Sequence, residues 1–486
     1  MQRPRSPKAR SISRREFIGL AGAGATVLLA TASGCLAQDA RQGRRGRRNA
    51  DREQRGPQHV LTADVPEHPL DAILGRPTDH SVTLSLLAYE PLRATVRLAD
   101  AQVRSVDLRA GEPVEVMLDS LQADARYRYG VLAEGAAEPL IEGAFHTQRP
   151  PGAEFTFAIQ ADSHLDPNTS PERYELTLAN ALADEPDFLV DLGDTFMTGK
   201  YPAPEDALPQ YLAQRWYFGL ICRSAPLMFV IGNHDGEEGG RDLTGLRMRT
   251  RYFPNPLPDG FYTGNEEPVE SIRLPGNYYA WEWGDALFMV LDPYANTHRR
   301  SGEDNWRRTL GETQYRWLRE TLEASHARHR FVFVHHLLGG PDADGRGGIE
   351  AAPYFEWGGS NADGSDGFAE NRPGWEEPIH DLLVRTGVSA VFHGHDHFFA
   401  RQELDGIAYQ LLPQPAHRKF GATGNAEAYG YMAGEIVDGS GYLRVHVAPD
   451  ATTVEFVRSW LPAEERGGRS NREVAFAYTI PAGDDR

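Results

Sequence analysis

The chain has very little cysteine. Cys35 and Cys222 are the only two among 486 residues. That excludes a disulfide-stapled scaffold and a thiolate-based metal cluster. Cys222 has no partner if Cys35 is removed or lipidated, and no nearby pattern would activate it, so it reads as a small buried hydrophobe. Long apolar runs are also missing. The most apolar stretch, Phe17 to Ala32, is Gly/Ala-rich and too short for a good membrane span, which needs about 20 strongly apolar residues. There is no internal repeat. Basic charge is scarce in the region expected to fold. The whole chain carries −19, residues 1–35 hold six basic side chains and one acid, and residues 36–58 hold seven arginines and three acids. The remainder has 37 basic against 65 acidic side chains, a charge of −28. A body of that sign excludes a nucleic-acid groove or a broad grip on anionic lipid.

What is present begins with an address. Ser13-Arg14-Arg15-Glu16-Phe17-Ile18, followed by the mild apolar stretch, resembles a twin-arginine export signal over residues 1–35. Ala32-Ser33-Gly34-Cys35 resembles a lipoprotein cleavage box with Cys35 as the lipidated residue; signal-peptidase cleavage near Ala37 is the alternative. Residues 36–59 hold Arg41, Arg44, Arg45, Arg47, Arg48, Arg52 and Arg55 among Gly, Gln and Asp, and are predicted to be a disordered linker. Together these segments predict an exported protein, periplasmic or at the cell surface. Its contact with a membrane would be through an N-terminal lipid anchor.

Two folded regions follow. Residues 60–150 alternate short apolar runs with turns, as in Ser81–Leu86, Ala94–Leu98, Val114–Leu118 and Tyr127–Val131, which predicts an all-β sandwich. The stretch Leu118 to Tyr129 resembles the corner and following strand of a fibronectin-type-III-like domain. No cluster with ligand spacing occurs there. Past Arg149-Pro150-Pro151-Gly152 the pattern changes, and residues 151–486 alternate strands with helices. Strands are predicted at 155–159, 188–190, 226–231, 286–291, 331–334 and 390–392, and helices at 173–183, 208–220 and 313–328. Tyr442–Val447 and Thr453–Val457 read as a closing hairpin. The Gly/Asp-rich run 339–374 is too long for an idle loop.

Five polar clusters stand directly after five of these strands. They are Asp162-Ser163-His164, Gly193-Asp194, Gly232-Asn233-His234-Asp235, His335-His336 and Gly394-His395-Asp396-His397. Ligands of α/β sheets bind at the carboxyl ends of strands, so the clusters fall where one shared site would form. Carboxylate, amide and imidazole donors without thiolate suit divalent Mn, Fe or Zn.

This ordered set resembles the calcineurin-like metallophosphoesterase superfamily, and the preceding β-sandwich resembles its purple-acid-phosphatase branch. The resemblance implies an α/β (α+β) four-layered sandwich with two divalent ions. It implies Asp162, His164 and His397 on the first metal, Asn233, His335 and His395 on the second, and Asp194 bridging both. His335 is preferred to His336 because it directly follows its strand. His234 would protonate the leaving oxygen, and Asp235 would orient its ring. The implied activity is metal-assisted hydrolysis of a small phosphomonoester; a phosphodiesterase or nucleotidase is the alternative within the family. A silent, tethered binding module is the competing class, and the presence of all seven ligand candidates speaks against it. One position departs from the purple branch. Met197 stands where that branch has an iron-binding Tyr, and Tyr201 is a poor substitute, so a colourless divalent pair is expected.

Other residues have the chemistry to lie at or near the site. Arg346 and Arg372 in the long loop are candidates to pair with phosphate, and His417-Arg418 to face the pocket. His298, His326 and His329 read as surface residues, His380 as structural, His393 as a neighbour of the ligands, and Trp281 and Trp283 as packing residues.

Overall fold

A computed structural model describes residues 65–98, 102–240, 243–297, 305–340, 344–419 and 423–483. The expected export signal, the Arg-rich linker, Cys35 and His298 lie outside the described residues. No helix among the described residues is long and apolar enough to cross a membrane.

Seven strands come first: β1 (Leu70–Gly75), β2 (Val82–Ala88), β3 (Leu92–Leu98), β4 (Gln102–Leu108), β5 (Val114–Leu118), β6 (Arg126–Ala133) and β7 (Ile141–His146). They form two facing layers, β1-β2-β5 and β4-β3-β6-β7. Leu74, Val82, Leu84, Leu86, Val96, Val131 and Phe145 fill the space between them. The alternation seen in the sequence is the consequence: every second residue of these strands points inward. Tyr127 fixes the corner before β6, its hydroxyl accepting the backbone N–H of Gln122 at 2.8 Å.

The remaining strands are β8 (Phe155–Gln160), β9 (Leu189–Asp191), β10 (Leu227–Phe229), β11 (Thr263–Gly264), β12 (Tyr279–Trp283), β13 (Ala286–Val290), β14 (His329–Phe333), β15 (Ala390–His393), β16 (Phe399–Leu404), β17 (Ile407–Leu411), β18 (Glu435–Val437), β19 (Gly441–Val447), β20 (Ala451–Arg458) and β21 (Val474–Pro481). They make two sheets. One runs β21-β20-β19-β8-β9-β10-β1-β2-β5, the other β11-β12-β13-β14-β15-β17-β16-β18. The inner layer of the N-terminal sandwich thus continues the first catalytic sheet through a parallel β1–β10 contact at Gly75 and Leu227. The closing hairpin is present as β19–β20 and carries a third strand, β21, which the sequence reading did not single out.

The two sheets face each other over an aromatic core. Phe157 stacks on Phe188 at 5.2 Å, Trp281 on Phe288 at 4.8 Å, and Phe333 on Phe392 at 5.3 Å. Trp281 and Trp283 are packing residues, as expected. The alternate residues Ala158, Leu189 and Leu227 turn to the outer face, where helices Pro171–Leu182 and Leu208–Cys222 cover them, with Cys222 buried among them. Ser170 caps the first helix by accepting the Arg173 N–H, and Pro171 starts it, needing no donor there. Helices Glu312–Ala324 and Ile379–Arg385 cover the second sheet through Leu318, Leu322, Leu382 and Leu383. The result is helix, sheet, sheet, helix: the expected four layers with an all-β region ahead.

Two histidines separate. His380 is structural, bonded to Tyr409 Oη at 2.7 Å and to Asp405 at 3.1 Å. His329 was expected at the surface and is instead buried, its ring held by the Ala448 carbonyl and the Thr452 hydroxyl. The hairpin that covers it comes from more than a hundred residues downstream in the chain, so local pattern could not show its burial.

Candidate metal centre

The five clusters do meet at one edge. β8, β9 and β10 run parallel, as do β13, β14 and β15, and the clusters sit beyond their carboxyl ends. Sharp turns aim the side chains at one point. Asp162, His164, Asp194, His395 and His397 all have left-handed backbone, with φ of 59°, 54°, 53°, 77° and 70°. Such conformations cost non-glycine residues about 1 kcal/mol or more each and collect where function over-determines geometry. The motif glycines let the turns approach. A Cβ on Gly232 would lie 2.1 Å from the Asp194 nitrogen, and one on Gly394 would lie 2.6 Å from Asp162 Oδ2.

Two donor groups result. Asp162, His164 and His397 form one; Asp194, His335 and His395 form the other, and within each the ligand atoms lie within 4.8 Å of one another. Asp194 Oδ2 stands between them, 3.4 Å from His335 Nε2 and 3.6 Å from His164 Nε2. Asp162 Oδ1 lies 3.3 Å from His397 Nε2 and 3.6 Å from His164 Nε2. His335 is the member of its pair in the cluster. His336 turns its Nδ1 to the Leu337 carbonyl and belongs to neither group.

The polar atoms show that the groups fit a metal. Asp162 Oδ1, His164 Nε2, Asn233 Oδ1, His335 Nε2 and His395 Nδ1 are buried without a hydrogen-bond partner. Orphaned buried atoms are rare and costly. The opposite ring nitrogens explain the tautomers. His335 Nδ1 donates to the Leu192 carbonyl at 2.7 Å and His395 Nε2 to the Asp344 carbonyl at 2.9 Å. With the outer nitrogen carrying the proton, the inward nitrogen of each ring is the one that can offer a lone pair to a metal. Those carbonyls gave no sequence signal. Asp166, 3.9 Å from His164 Nδ1, was readable from its spacing to His164.

Electrostatics point the same way. Burial raises the Asp162 and Asp194 carboxyls, but the surrounding imidazoles outweigh it and hold both well below the usual range. Burial lowers the His164 and His335 rings, yet the carboxylates lift them to about 10 and about 9. At His164 and His335 the pocket thus favours positive charge, while burial and then the neighbouring His335 and His336 hold the His395 ring well below its usual range.

Several expectations need correction. Asp235 does not orient His234. Its oxygens accept backbone N–H groups from Gly232, Asp194, Thr195 and Phe196 at 2.6–3.1 Å, so it braces the turn carrying Asp194. The His234 ring is approached instead by Asn233 Nδ2 at 3.3 Å, and its Nε2 stands 3.7 Å from Asp194 Oδ2. Neither loop arginine is held ready for phosphate. Arg346 pairs with Asp396 at 2.8 Å and lies 4.2 Å over the Tyr429 ring, while Arg372 pairs with the buried Glu356. Buried carboxylates need a counter-charge, and these arginines supply it. His393 is buried with its Nε2 unpaired but belongs to neither group. Arg418 ties down the loop after His164 by donating to Asn168 and Pro167 carbonyls. Met197 and Tyr201 pack in the helix-side core.

A carboxylate, amide and imidazole centre at the carboxyl edge of a four-layered α/β sandwich defines a metallophosphoesterase. The calcineurin-like phosphoesterase family model matches residues 155–399, and the chain belongs to that family. It is therefore a phosphoric ester hydrolase. Among solved structures it is similar to PhoD, with 15% identity over 87% of this chain and 92% of that chain at a TM-score of 0.62. It is also similar to purple acid phosphatase PPD1 from yellow lupin (Lupinus luteus) seeds, with 13% identity over 86% of this chain and 75% of that chain at a TM-score of 0.57. At these identities the likeness is one of fold. No curated protein matches the chain by sequence.

Proposed function

We propose that the protein is an exported hydrolase of small phosphomonoesters that works with two divalent ions, Fe, Mn or Zn. The observation that carries the reading is the convergence of four orphaned donor atoms, on Asp162, His164, His335 and His395, on two adjacent points. Asp162, His164 and His397 would hold one ion, Asn233, His335 and His395 the other, with Asp194 shared. When bound, such ions stabilise charge on phosphoryl oxygens and make water acidic enough to attack near neutral pH. The chain does the rest. Rigid turns hold the donors before substrate arrives, and Asp235 braces the turn that carries Asp194. His234 is partly exposed beside the shared carboxylate; burial lowers its ring to about 4, so the anionic phosphate must restore its proton before its Nε2 can pass one to the leaving oxygen. The acidic body favours a small ester over a polyanion, because the ions alone make the site locally positive. The paired arginines and Cys35 supply export and lipid tethering outside the cytoplasm.

The test is hydrolysis of para-nitrophenyl phosphate and its bis ester, with Mn, Zn and Fe added to metal-free protein. Metal-dependent turnover, faster on the monoester, is expected. Preference for the bis ester would move the assignment to a phosphodiesterase. No turnover on either ester with any of the metals would overturn the reading.

A further inference from the structure

The edge holds one more group that the two-ion reading does not use. Leu291-Asp292-Pro293-Tyr294 follows β13, which runs parallel to β14, so Tyr294 emerges on the same edge as His335. Its backbone is fixed on both sides. Asp292 Oδ1 accepts the Tyr294 N–H at 2.7 Å, and the Tyr294 carbonyl accepts from Gly239 at 3.1 Å and Thr297 at 2.9 Å. The ring stands edge-on to His336 at 5.2 Å and lies 6.3 Å from His335. Its hydroxyl is buried with no hydrogen-bond partner. Two other core tyrosines find acceptors, Tyr279 in the Phe229 carbonyl at 3.0 Å and Tyr431 in Asp396 at 2.8 Å, whereas Tyr478, far from the ligand clusters in sequence on β21, is unpaired like Tyr294. Burial and then Asp194 push the Tyr294 phenol well above its usual range, with Arg308 opposing, so it stays protonated and is a donor. Arg308 is itself buried, and its guanidinium and the His336 ring both crowd Gly345.

We propose that the Tyr294 hydroxyl is a phosphate-binding group that donates to a non-bridging oxygen of the phosphoryl group in the metal centre. This rests on the phosphoesterase reading. A phosphoryl group presents three non-bridging oxygens, and a pair of ions does not cover all of them together with the attacking and leaving positions. A neutral, rigidly held donor suits the uncovered oxygen, because charge grows there in the transition state. The same view explains why the hydroxyl is left unpaired: its acceptor arrives with the substrate.

The variant is Tyr294→Phe, and four quantities are read on metal-loaded wild type and variant. Inhibition by inorganic phosphate is expected to weaken about 10- to 100-fold, the range for a hydrogen bond to a charged group. kcat/KM on para-nitrophenyl phosphate should fall by a similar factor. Metal content by elemental analysis should be unchanged. The melting temperature of the metal-free variant should be equal or higher, because an unpaired buried hydroxyl is removed. Phosphate inhibition within twofold of wild type at full metal content would overturn the proposal. So would loss of metal, or a visible tyrosinate band in iron-loaded wild type that the variant lacks, since either makes Tyr294 a metal ligand. If wild type hydrolyses no phosphoester, the underlying reading fails instead, and that outcome is seen before the variant is made.

Discussion

The N-terminal sandwich and the carboxyl edge of the catalytic sheets are both made of short strands and tight turns, yet they treat polar groups in opposite ways. In the sandwich, among the described residues, no buried side-chain polar atom is left unpaired. Thr147 and Tyr129 are typical: the Thr147 hydroxyl donates to Gln122 and the Tyr129 hydroxyl to Arg223. At the edge, five candidate ligands and Tyr294 are buried with an unpaired atom. The backbone differs in where its left-handed non-glycine residues fall: in the sandwich they are the turn residues Arg76, Ser120 and Asp124. Five of the seven ligand candidates are non-glycine residues with left-handed φ. One region has settled its hydrogen bonding within the chain; the other holds strain and unmet valence in place for a guest. Unpaired buried atoms also occur elsewhere in the catalytic sheets, on Trp281 Nε1 and Gln410 Oε1, so it is their gathering within two donor groups that marks the site.

Substitutions should keep the two regions apart. The largest effect is expected from Asp194→Asn, which removes the charge shared by both donor groups. Losing several kcal/mol of transition-state stabilisation lowers kcat about 1,000-fold, measured as metal-dependent ester turnover; a fall of less than tenfold would deny Asp194 its central place. Asp235→Ala strips the acceptor from four backbone N–H groups and should cost about 4 kcal/mol by denaturant unfolding. Asp235→Asn should recover part of that stability, which a role confined to the His234 ring would not predict. Leu84→Ala opens a cavity in the sandwich core and should cost about 3 kcal/mol. Its kcat should stay within twofold of wild type at temperatures where the protein is folded. A large loss of kcat in that variant would blur the contrast, because it would mean the β1–β10 junction transmits packing to the centre.

Much of this was legible in the sequence because it is local. Strand ends followed by ligand-type residues can be read one cluster at a time, and strand order then brings Asp162, His164, Asp194, His335, His395 and His397 together. Sandwich alternation is also local, as are helix starts such as Ser170-Pro171. The parts that were missed depend on distant partners. The pairing of Gly75 with Leu227 leaves no periodic trace. The duties of Arg346, Arg372 and Asp235 depend on what packs against them, and so does the burial of His329. Tyr294 had a readable signal, since it follows a strand on the same edge; its aromatic side chain hid it in a search for metal donors.

The central claim is that the orphaned atoms form two ion sites sharing Asp194. The most direct test is calorimetric titration of metal-free protein with Zn or Mn, set beside the His335→Ala and His164→Ala variants. The account predicts two ions bound per wild-type chain, and each variant losing or greatly weakening one of them. A wild-type chain that binds no ion, or variants that bind as wild type does, would contradict it.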